Sequence, residues 1–217
     1  MATYKGRPLG SIGDLGYYPF HETKNIISGE GGALLINNSA FADRAEIIRE
    51  KGTNRNQFFR GQVDKYTWVD IGSSYLPGEL ISAFLLAQFE EAMAITSKRL
   101  SIWNKYHHAF EKFEVSGRLR RPIIADYCEH NAHMYYILLK DLEDRSQFIS
   151  QTKESGIGCV FHYVPLHSSQ FIKGDNDRPQ PELCVTDGYS DRLVRLPLWI
   201  GLHSQQNDVV QFVCDHL

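Results

Sequence analysis

The sequence predicts an α/β fold, and three observations point to that class. Segments with the three-to-four-residue apolar spacing of helices alternate with short apolar runs typical of strands. Hydrophobic residues make up 42% of the 217 residues and charged residues 23%, which supports a packed core and excludes a disordered, collagen-like or coiled-coil chain. The sequence also has no internal repeat and no low-complexity tract.

The first part of the chain is predicted to contain one strand, one helix and a long loop. Glycine and proline residues punctuate residues 1–20, which is typical of loops and short strands. The apolar run 33–38 predicts a buried strand, and residues 39–51 have amphipathic helical spacing, with Ser39 as the N-cap. Residues 52–79 show no sustained period, and a long ordered loop of this kind is often functional.

A long helix is predicted for residues 79–113, where apolar side chains recur at spacings of three and four. A helix of this length often bridges two domains, and we place the domains at 1–95 and 96–217. Beyond it, strands are predicted at 133–139 and 158–164, and helices at 146–155, 188–195 and 204–217.

Composition excludes several function classes. The 23 Lys and Arg against 26 Asp and Glu give a net charge of −3, which offers no support for nucleic-acid binding. No apolar run approaches the roughly 18 residues of a membrane span, and no signal-peptide core is found, so we expect a cytoplasmic protein away from membranes. The nine histidines lack metal-ligand spacing, and none of the cysteines forms a Cys-x-x-Cys pair, so no metal site is expected; the cysteines are Cys128, Cys159, Cys184 and Cys214.

The most informative segment contains Lys24, which lies among an aromatic residue, a histidine and a hydroxyl, just before the glycine-rich run 29–32. A lysine amine can form a Schiff base when its neighbours lower its pKa or supply proton transfer. Glycine allows the backbone to approach a ligand closely. From this chemistry alone, the simpler interpretation is a solvated lysine in a surface loop.

Several segments resemble, in order and over essentially the whole chain, the DegT/StrS-type sugar-nucleotide aminotransferases. The sequence of these segments is most similar to the branch of the family that makes dTDP-4-amino-4,6-dideoxygalactose. The segments are FHETKN at 20–25, GEGGA at 29–33, EIIREKG at 46–52, RGQVDKYTW at 60–68, DIGSSYL at 70–76, FHYVPLH at 161–167 and RLPL at 195–198.

This resemblance implies the aspartate-aminotransferase-like fold of pyridoxal-phosphate (PLP) enzymes, fold type I. Residues 1–95 would be the end of the large PLP-binding domain, and residues 96–217 the small C-terminal domain. Lys24 would bind PLP covalently and act as the acid and base of the reaction. Glutamate would donate the amino group to the C4 ketone of a dTDP-4-keto-6-deoxyhexose, for a surface polysaccharide such as lipopolysaccharide or enterobacterial common antigen. The enzyme would be a homodimer with shared active sites.

The resemblance also assigns further residues to the site. His21, Ser73 and Ser74 would lie near the cofactor, and the substrate contacts would be His162, His167 and Tyr66. A second interpretation stays open for most of them: a histidine can be hydrogen-bonded structure, and an aromatic loop residue can be interface packing.

The sequence departs from the family pattern at two positions and, to a larger extent, in the short stretch that precedes Lys24. Pro19 replaces a serine whose hydroxyl helps to bind the phosphate, and Leu76 replaces an asparagine. Asp14 is the only aspartate in residues 1–23, and its position does not match the aspartate that pairs with the pyridine nitrogen. We therefore expect a C-terminal portion of the enzyme with weak or no PLP binding alone. The rival interpretation is a non-catalytic remnant that acts as a dimerisation or binding module.

Overall fold

The computed structural model describes residues 2–174 and 182–217, which form two compact units. The first unit comprises Met1–Ala94 and Asp126–His130, and the second comprises Ile95–Ala125 and Asn131–Leu217. The chain therefore leaves the first unit, returns to it for five residues and leaves it again. The predicted roles of the two parts, as large PLP-binding domain and small domain, stay predictions.

The first unit contains two small antiparallel sheets. Strands β1 (Thr3–Tyr4), β2 (Arg7–Pro8) and β5 (Cys128–Glu129) form one sheet in the order β2-β1-β5. Strands β3 (Leu15–Pro19) and β4 (Gly32–Ile36) form a hairpin, in which Leu15 is opposite Ile36 and Pro19 is opposite Gly32. The residues between β3 and β4 are the loop that carries Lys24.

Three helices complete the first unit, namely α1 (Ala42–Arg49), α2 (Arg55–Phe59) and α3 (Glu79–Glu90). A short 3₁₀ turn, Ser39–Phe41, precedes α1, and the Asn38 side chain caps it by accepting a hydrogen bond from the Ala40 N–H at 3.0 Å. The predicted N-cap, Ser39, is therefore wrong by one residue, because the turn already begins there. Helix α2 lies within the segment that was predicted to be irregular.

The single helix predicted for residues 79–113 is also wrong. The structure has α3, then α4 (Ala92–Ala109) and α5 (Glu111–Val115). The backbone leaves helical geometry at Glu91, with ψ of 4°, and at Phe110, with ψ of 2°. The apolar spacing continues through both residues, so it could not reveal the breaks. In the described part of the chain no single helix has the length and apolar composition of a membrane span, although α3 and α4 as one bent pair meet that test by length and composition alone.

The second unit has a three-stranded antiparallel sheet with strand order β6-β8-β7. In addition to α5 and most of α4, the described part of this unit contains four helices. The strands are β6 (Tyr135–Leu138), β7 (Val160–Phe161) and β8 (Leu193–Leu196), and the helices are α6 (Leu142–Glu154), α7 (Gln170–Lys173), α8 (Cys184–Arg192) and α9 (Gln206–His216).

Two predicted helices in this unit have different bounds. Helix α6 begins four residues before Ser146, because the Asp141 side chain caps it by accepting the Asp144 N–H at 3.0 Å. The helix predicted for 188–195 ends at Arg192, and its last residues form β8. Val194 and Leu196 are buried while their neighbours are not, which is the alternation of a half-buried strand.

The core of the second unit is built on aromatic rings. Tyr106 stacks on Phe110 at 5.7 Å between ring centroids and lies 5.3 Å from Tyr135, and all three side chains are fully buried. The Tyr106 hydroxyl donates a hydrogen bond to the Pro197 carbonyl at 3.0 Å, so the buried polar group is satisfied. Ile137, on β6, lies in the same cluster.

We expect Ile137→Ala to destabilise the protein by about 2–5 kcal/mol, because Ile137 is 0% exposed and its truncation leaves a cavity. Ile123→Ala is the matched control: Ile123 is 68% exposed, and its loss should change the free energy of unfolding by less than about 0.5 kcal/mol. Urea unfolding followed by circular dichroism measures both values. Equal effects of the two substitutions would contradict this description of the core.

Candidate functional site

Lys24 lies in the loop that joins β3 to β4, and backbone hydrogen bonds tie the two ends of this loop together. The Phe20 N–H donates to the Gly31 carbonyl at 2.9 Å, and the Ser28 N–H donates to the Phe20 carbonyl at 2.7 Å. Within the loop, the Lys24 N–H donates to the His21 carbonyl at 2.9 Å. The backbone that carries the lysine is therefore held in a defined shape.

Buried side chains anchor both ends of the Lys24 loop. Phe20 packs edge-to-face against Phe89 of α3, with ring centroids 5.4 Å apart. The buried Ser28 hydroxyl donates to the Glu30 carbonyl at 2.6 Å. Gly31 has φ of 134°, and a Cβ there would lie 3.1 Å from the Ser28 Oγ, so glycine is required beside this serine.

The His21 ring braces the same loop. Its Nδ1 accepts the Thr23 N–H at 3.2 Å and lies 3.0 Å from the Thr23 hydroxyl. The Nε2 of the same ring lies 3.5 Å from Oε1 of Glu30. The structure thus places His21 in the Lys24 loop and shows bonds from its ring to loop residues.

Ser73 and Ser74 lie beside the C-terminal end of α1. The Ser73 N–H donates to the Ile48 carbonyl at 3.0 Å, and the Ser73 carbonyl accepts the Lys51 N–H at 3.0 Å. Both serine side chains are exposed. They belong to the same unit as Lys24.

Two glycines make this position of the serines possible. A Cβ on Gly72 would lie 2.2 Å from the backbone nitrogen of Gly52, and a Cβ on Gly52 would lie 1.8 Å from the Asp70 carbonyl oxygen. Gly52 also has φ of 75°, which favours glycine. Side chains at either position would force the two backbone segments apart.

Tyr66 lies in the loop between α2 and α3 of the first unit. Its side chain is exposed, and its ring is 5.7 Å from that of Phe58. Near this loop, Arg60 forms a two-pronged ion pair with Glu46 of α1, at 2.8 and 3.1 Å. The hydrogen bond from Arg60 holds the pKa of Glu46 below its ordinary value. The loop is therefore linked to the helix that also supports Ser73.

The two remaining predicted residues, His162 and His167, lie in the second unit. The His167 Nε2 is 3.0 Å from Oδ1 of Asp187, which also accepts the Ser168 hydroxyl at 3.0 Å. Burial lowers the pKa of His162, and the positive charge of Arg195 lowers it further. His162 lines an apolar cavity of about 740 Å³ together with Tyr163, Leu166, Val185 and Tyr189.

The predicted residues therefore divide between the two units. Lys24, His21, Ser73, Ser74 and Tyr66 belong to the first, and the two histidines to the second. Sequence reasoning missed Ser28 and Glu30, although both stand in or next to the glycine run that drew attention to Lys24. Within residues 2–174 and 182–217, no three His, Cys, Asp or Glu side chains are grouped as a metal site.

The contacts of the Asp187 carboxylate predict how its contribution to stability depends on pH. The hydrogen bond from His167, with that from Ser168, holds the pKa of Asp187 below its ordinary value. Its contribution to stability is therefore present above the unfolded-state pKa and is lost as pH falls through the lower folded-state pKa. In His167→Gln the pKa of Asp187 should rise, as followed by NMR of its carboxyl carbon. Ser168→Ala should give a smaller rise, and an unchanged titration in both variants would contradict the contact.

Comparison with known proteins assigns this chain to a family. The model of the DegT/DnrJ/EryC1/StrS aminotransferase family matches residues 1–215. The spore coat polysaccharide biosynthesis protein SpsC of Bacillus subtilis is 27% identical over 224 residues, which is 98% of this chain and 56% of SpsC. The UDP-4-amino-4,6-dideoxy-N-acetyl-beta-L-altrosamine transaminase of Campylobacter jejuni is 27% identical over 172 residues, covering 78% of this chain and 44% of that protein.

A solved structure shows the same fold. Helicobacter pylori PseC, an aminotransferase involved in the biosynthesis of pseudoaminic acid, matches with a TM-score of 0.86 and 20% identity over 99% of this chain and 56% of that chain. The predicted fold type I is thereby confirmed. The chain spans about half the length of the curated relatives it matches. On the match over residues 1–215, this chain belongs to the DegT/DnrJ/EryC1/StrS aminotransferase family.

Proposed function

We propose that this chain is part of a PLP-dependent aminotransferase that moves an amino group from glutamate to the C4 ketone of a dTDP-4-keto-6-deoxyhexose. One observation carries the proposal: in a chain of an aminotransferase family, Lys24 lies in a loop whose two ends are hydrogen-bonded and anchored by buried side chains.

The donor groups of the first unit fit PLP in part. The Lys24 amine is the group that an aldehyde requires, and the exposed Ser73 and Ser74 hydroxyls are suitable donors to a phosphate. Asp14 does not serve the ring nitrogen in this proposal, because it precedes β3 at the end of the hairpin where Leu15 pairs with Ile36, whereas the Lys24 loop follows the other end, where Pro19 pairs with Gly32. Lys24 therefore supplies the amine for the aldehyde of PLP. The partner of the pyridine nitrogen must be a residue other than Asp14.

The chain's own residues would act as follows. PLP, when bound, supplies an electron-withdrawing ring that stabilises negative charge on the neighbouring carbon. Lys24 holds the cofactor and afterwards moves a proton at its Nζ atom. His21 and Ser28 keep the backbone of the loop fixed, so only the flexible lysine side chain has to move between the two tasks.

The relatives support a sugar substrate, and the dTDP assignment rests on the sequence resemblance alone. The Campylobacter relative is named for a UDP-sugar, and SpsC for a polysaccharide pathway. We propose the dTDP-sugar as substrate and a surface polysaccharide as destination, with Tyr66, His162 and His167 as substrate contacts. The enzyme would act as a homodimer in the cytoplasm, where nucleotide-activated sugars and glutamate are available.

The first test is covalent labelling. The chain is mixed with excess PLP, reduced with borohydride and digested, and the labelled lysine is identified by mass spectrometry. We expect weak binding but selective labelling of Lys24, which Lys24→Ala abolishes. Lys65→Ala is the matched control, because Lys65 is an exposed lysine of the same unit and its loss should leave the label unchanged. Equal labelling of many lysines, or a label that survives in Lys24→Ala, would overturn the assignment.

A second test separates the two nucleotides. A preparation of the protein that is active with PLP and glutamate should release 2-oxoglutarate. The release should be at least tenfold faster with a dTDP-4-keto-6-deoxyhexose than with the corresponding UDP-sugar, which is a difference of about 1.4 kcal/mol in the activation barrier. Lys24→Ala should abolish turnover with both substrates. Faster turnover of the UDP-sugar would refute the dTDP assignment while leaving the aminotransferase proposal intact.

A non-catalytic binding module is the second candidate function, and Pro19 favours it. Pro19 is the last residue of β3, opposite Gly32, and it has neither a hydroxyl nor an N–H to offer a phosphate. If the labelling experiment gives no product and no turnover occurs, this second function, or a fragment that is inactive alone, replaces the first.

A further inference from the structure

A histidine–aspartate pair lies beside the apolar cavity of the second unit. The His167 Nε2 is 3.0 Å from Oδ1 of Asp187 and 3.2 Å from Oδ2. An ionised carboxylate can only accept hydrogen bonds, so the hydrogen of this contact is on Nε2. In the neutral ring the other nitrogen, Nδ1, then carries no hydrogen and is a hydrogen-bond acceptor. The aspartate therefore determines which histidine nitrogen can accept.

The Asp187 carboxylate is itself held in place. Its Oδ1 also accepts the Ser168 hydroxyl at 3.0 Å, and the Asp187 N–H donates to the Leu183 carbonyl at 3.0 Å, in the first turn of α8. The His167 side chain is 12% exposed, whereas that of Asp187 is 44% exposed. The ring is the more enclosed partner, and the carboxylate that fixes its orientation belongs to a different element.

The pair joins two walls of the apolar cavity. Leu166 and Thr186, the residues immediately before His167 and Asp187, both line this cavity of about 740 Å³. Cavities of this size bind small molecules, and the few polar groups beside their apolar walls fix the orientation of the ligand. Among the residues that the structure describes, Nδ1 of His167 has no hydrogen-bond partner. An oriented acceptor therefore lies at the edge of a cavity of ligand size.

We propose that Asp187 is a positioning residue, which holds His167 so that its Nδ1 accepts a hydrogen bond from a hydroxyl of the hexose substrate. This rests on the proposed function, in which His167 is a substrate contact, and adds both the residue that orients His167 and the substrate group that it recognises. A hexose has several hydroxyl donors, whereas ionised phosphate and ketone oxygens have no hydrogen to donate. An acceptor at this place therefore selects the hydroxylated sugar ring.

The experiment separates this role from a purely structural one, in which the pair only fastens α8 to the turn Leu166–Ser168. The full chain is labelled with ¹⁵N in its histidine rings, and the His167 signals are identified by their loss in His167→Gln. At about pH 8 we expect a neutral ring with its hydrogen on Nε2. Addition of dTDP-glucose should move the Nδ1 resonance upfield, because the nitrogen accepts a hydrogen bond.

Two further ligands identify the group that is bound. The nucleotide dTDP has no hexose, so it should leave the Nδ1 resonance unchanged. UDP-glucose carries the same hexose as dTDP-glucose, so it should give the same shift. The result is therefore independent of which nucleotide the enzyme prefers.

Substitutions of Asp187 test the positioning role. In Asp187→Asn an amide both donates and accepts, so His167 should lose its single ring form, and the Kd for dTDP-glucose should rise roughly three- to tenfold. Asp187→Glu keeps a carboxylate and should restore part of both properties. Asp191→Asn is the matched control and should change neither. Asp191 is an exposed aspartate of the same helix, with no hydrogen bond or ion pair to the described residues.

Several outcomes would overturn the proposal. A ring with hydrogen on Nδ1, or on both nitrogens, would show that no acceptor is available. A shift with dTDP alone would assign the contact to the nucleotide. No shift with either hexose, or an unchanged Kd in Asp187→Asn, would leave the pair a structural role only. Because the ligand titration of the unsubstituted chain needs no Asp187 variant, it decides the matter even if such a variant fails to fold.

These measurements use neither PLP nor turnover, so their failure is distinguishable from failure of the proposed function. A missing hexose contact would leave the selective labelling of Lys24 as expected. Loss of that labelling would refute the aminotransferase proposal without changing the ring form of His167.

Discussion

The closure of the Lys24 loop is the constraint on which the candidate site depends. The hydrogen bonds from Phe20 and Ser28 join the loop ends, and the burial of both side chains keeps water from competing for these bonds. In the proposed function Lys24 would both bind a cofactor and move a proton, which requires a fixed backbone and a mobile amine. The braced backbone gives the first, and the four-carbon side chain gives the second.

The two units reach their structures by different means. The second is held by aromatic packing around Tyr106 and Tyr135, where stability comes from apolar burial. The first is held by backbone hydrogen bonds, an ion pair and close contacts between glycines such as Gly52 and Gly72. Regions with few buried apolar contacts open locally at a lower free energy, so the first unit is the one expected to fluctuate more.

Sequence patterns predicted the elements that depend on local spacing and missed those that depend on distant contacts. The strand at β6 and the helix at α9 follow directly from apolar periodicity. The break at Glu91 does not, because the periodicity continues through it. Lys24 stood out because several family segments occur in order, whereas the pairing of His167 with Asp187 joins residues 20 positions apart and left no local signal.

The five-residue return of Asp126–His130 to the first unit affects how the chain can be divided. Because Cys128 and Glu129 pair with Thr3 and Tyr4, a fragment that begins at residue 96 would carry a β5 strand without its β1 partner. The backbone passes from one unit to the other at three places, so a single proteolytic cut cannot release either unit whole. Expression of the second unit as an independent fragment would require the deletion of residues 126–130 and a new link between Ala125 and Asn131.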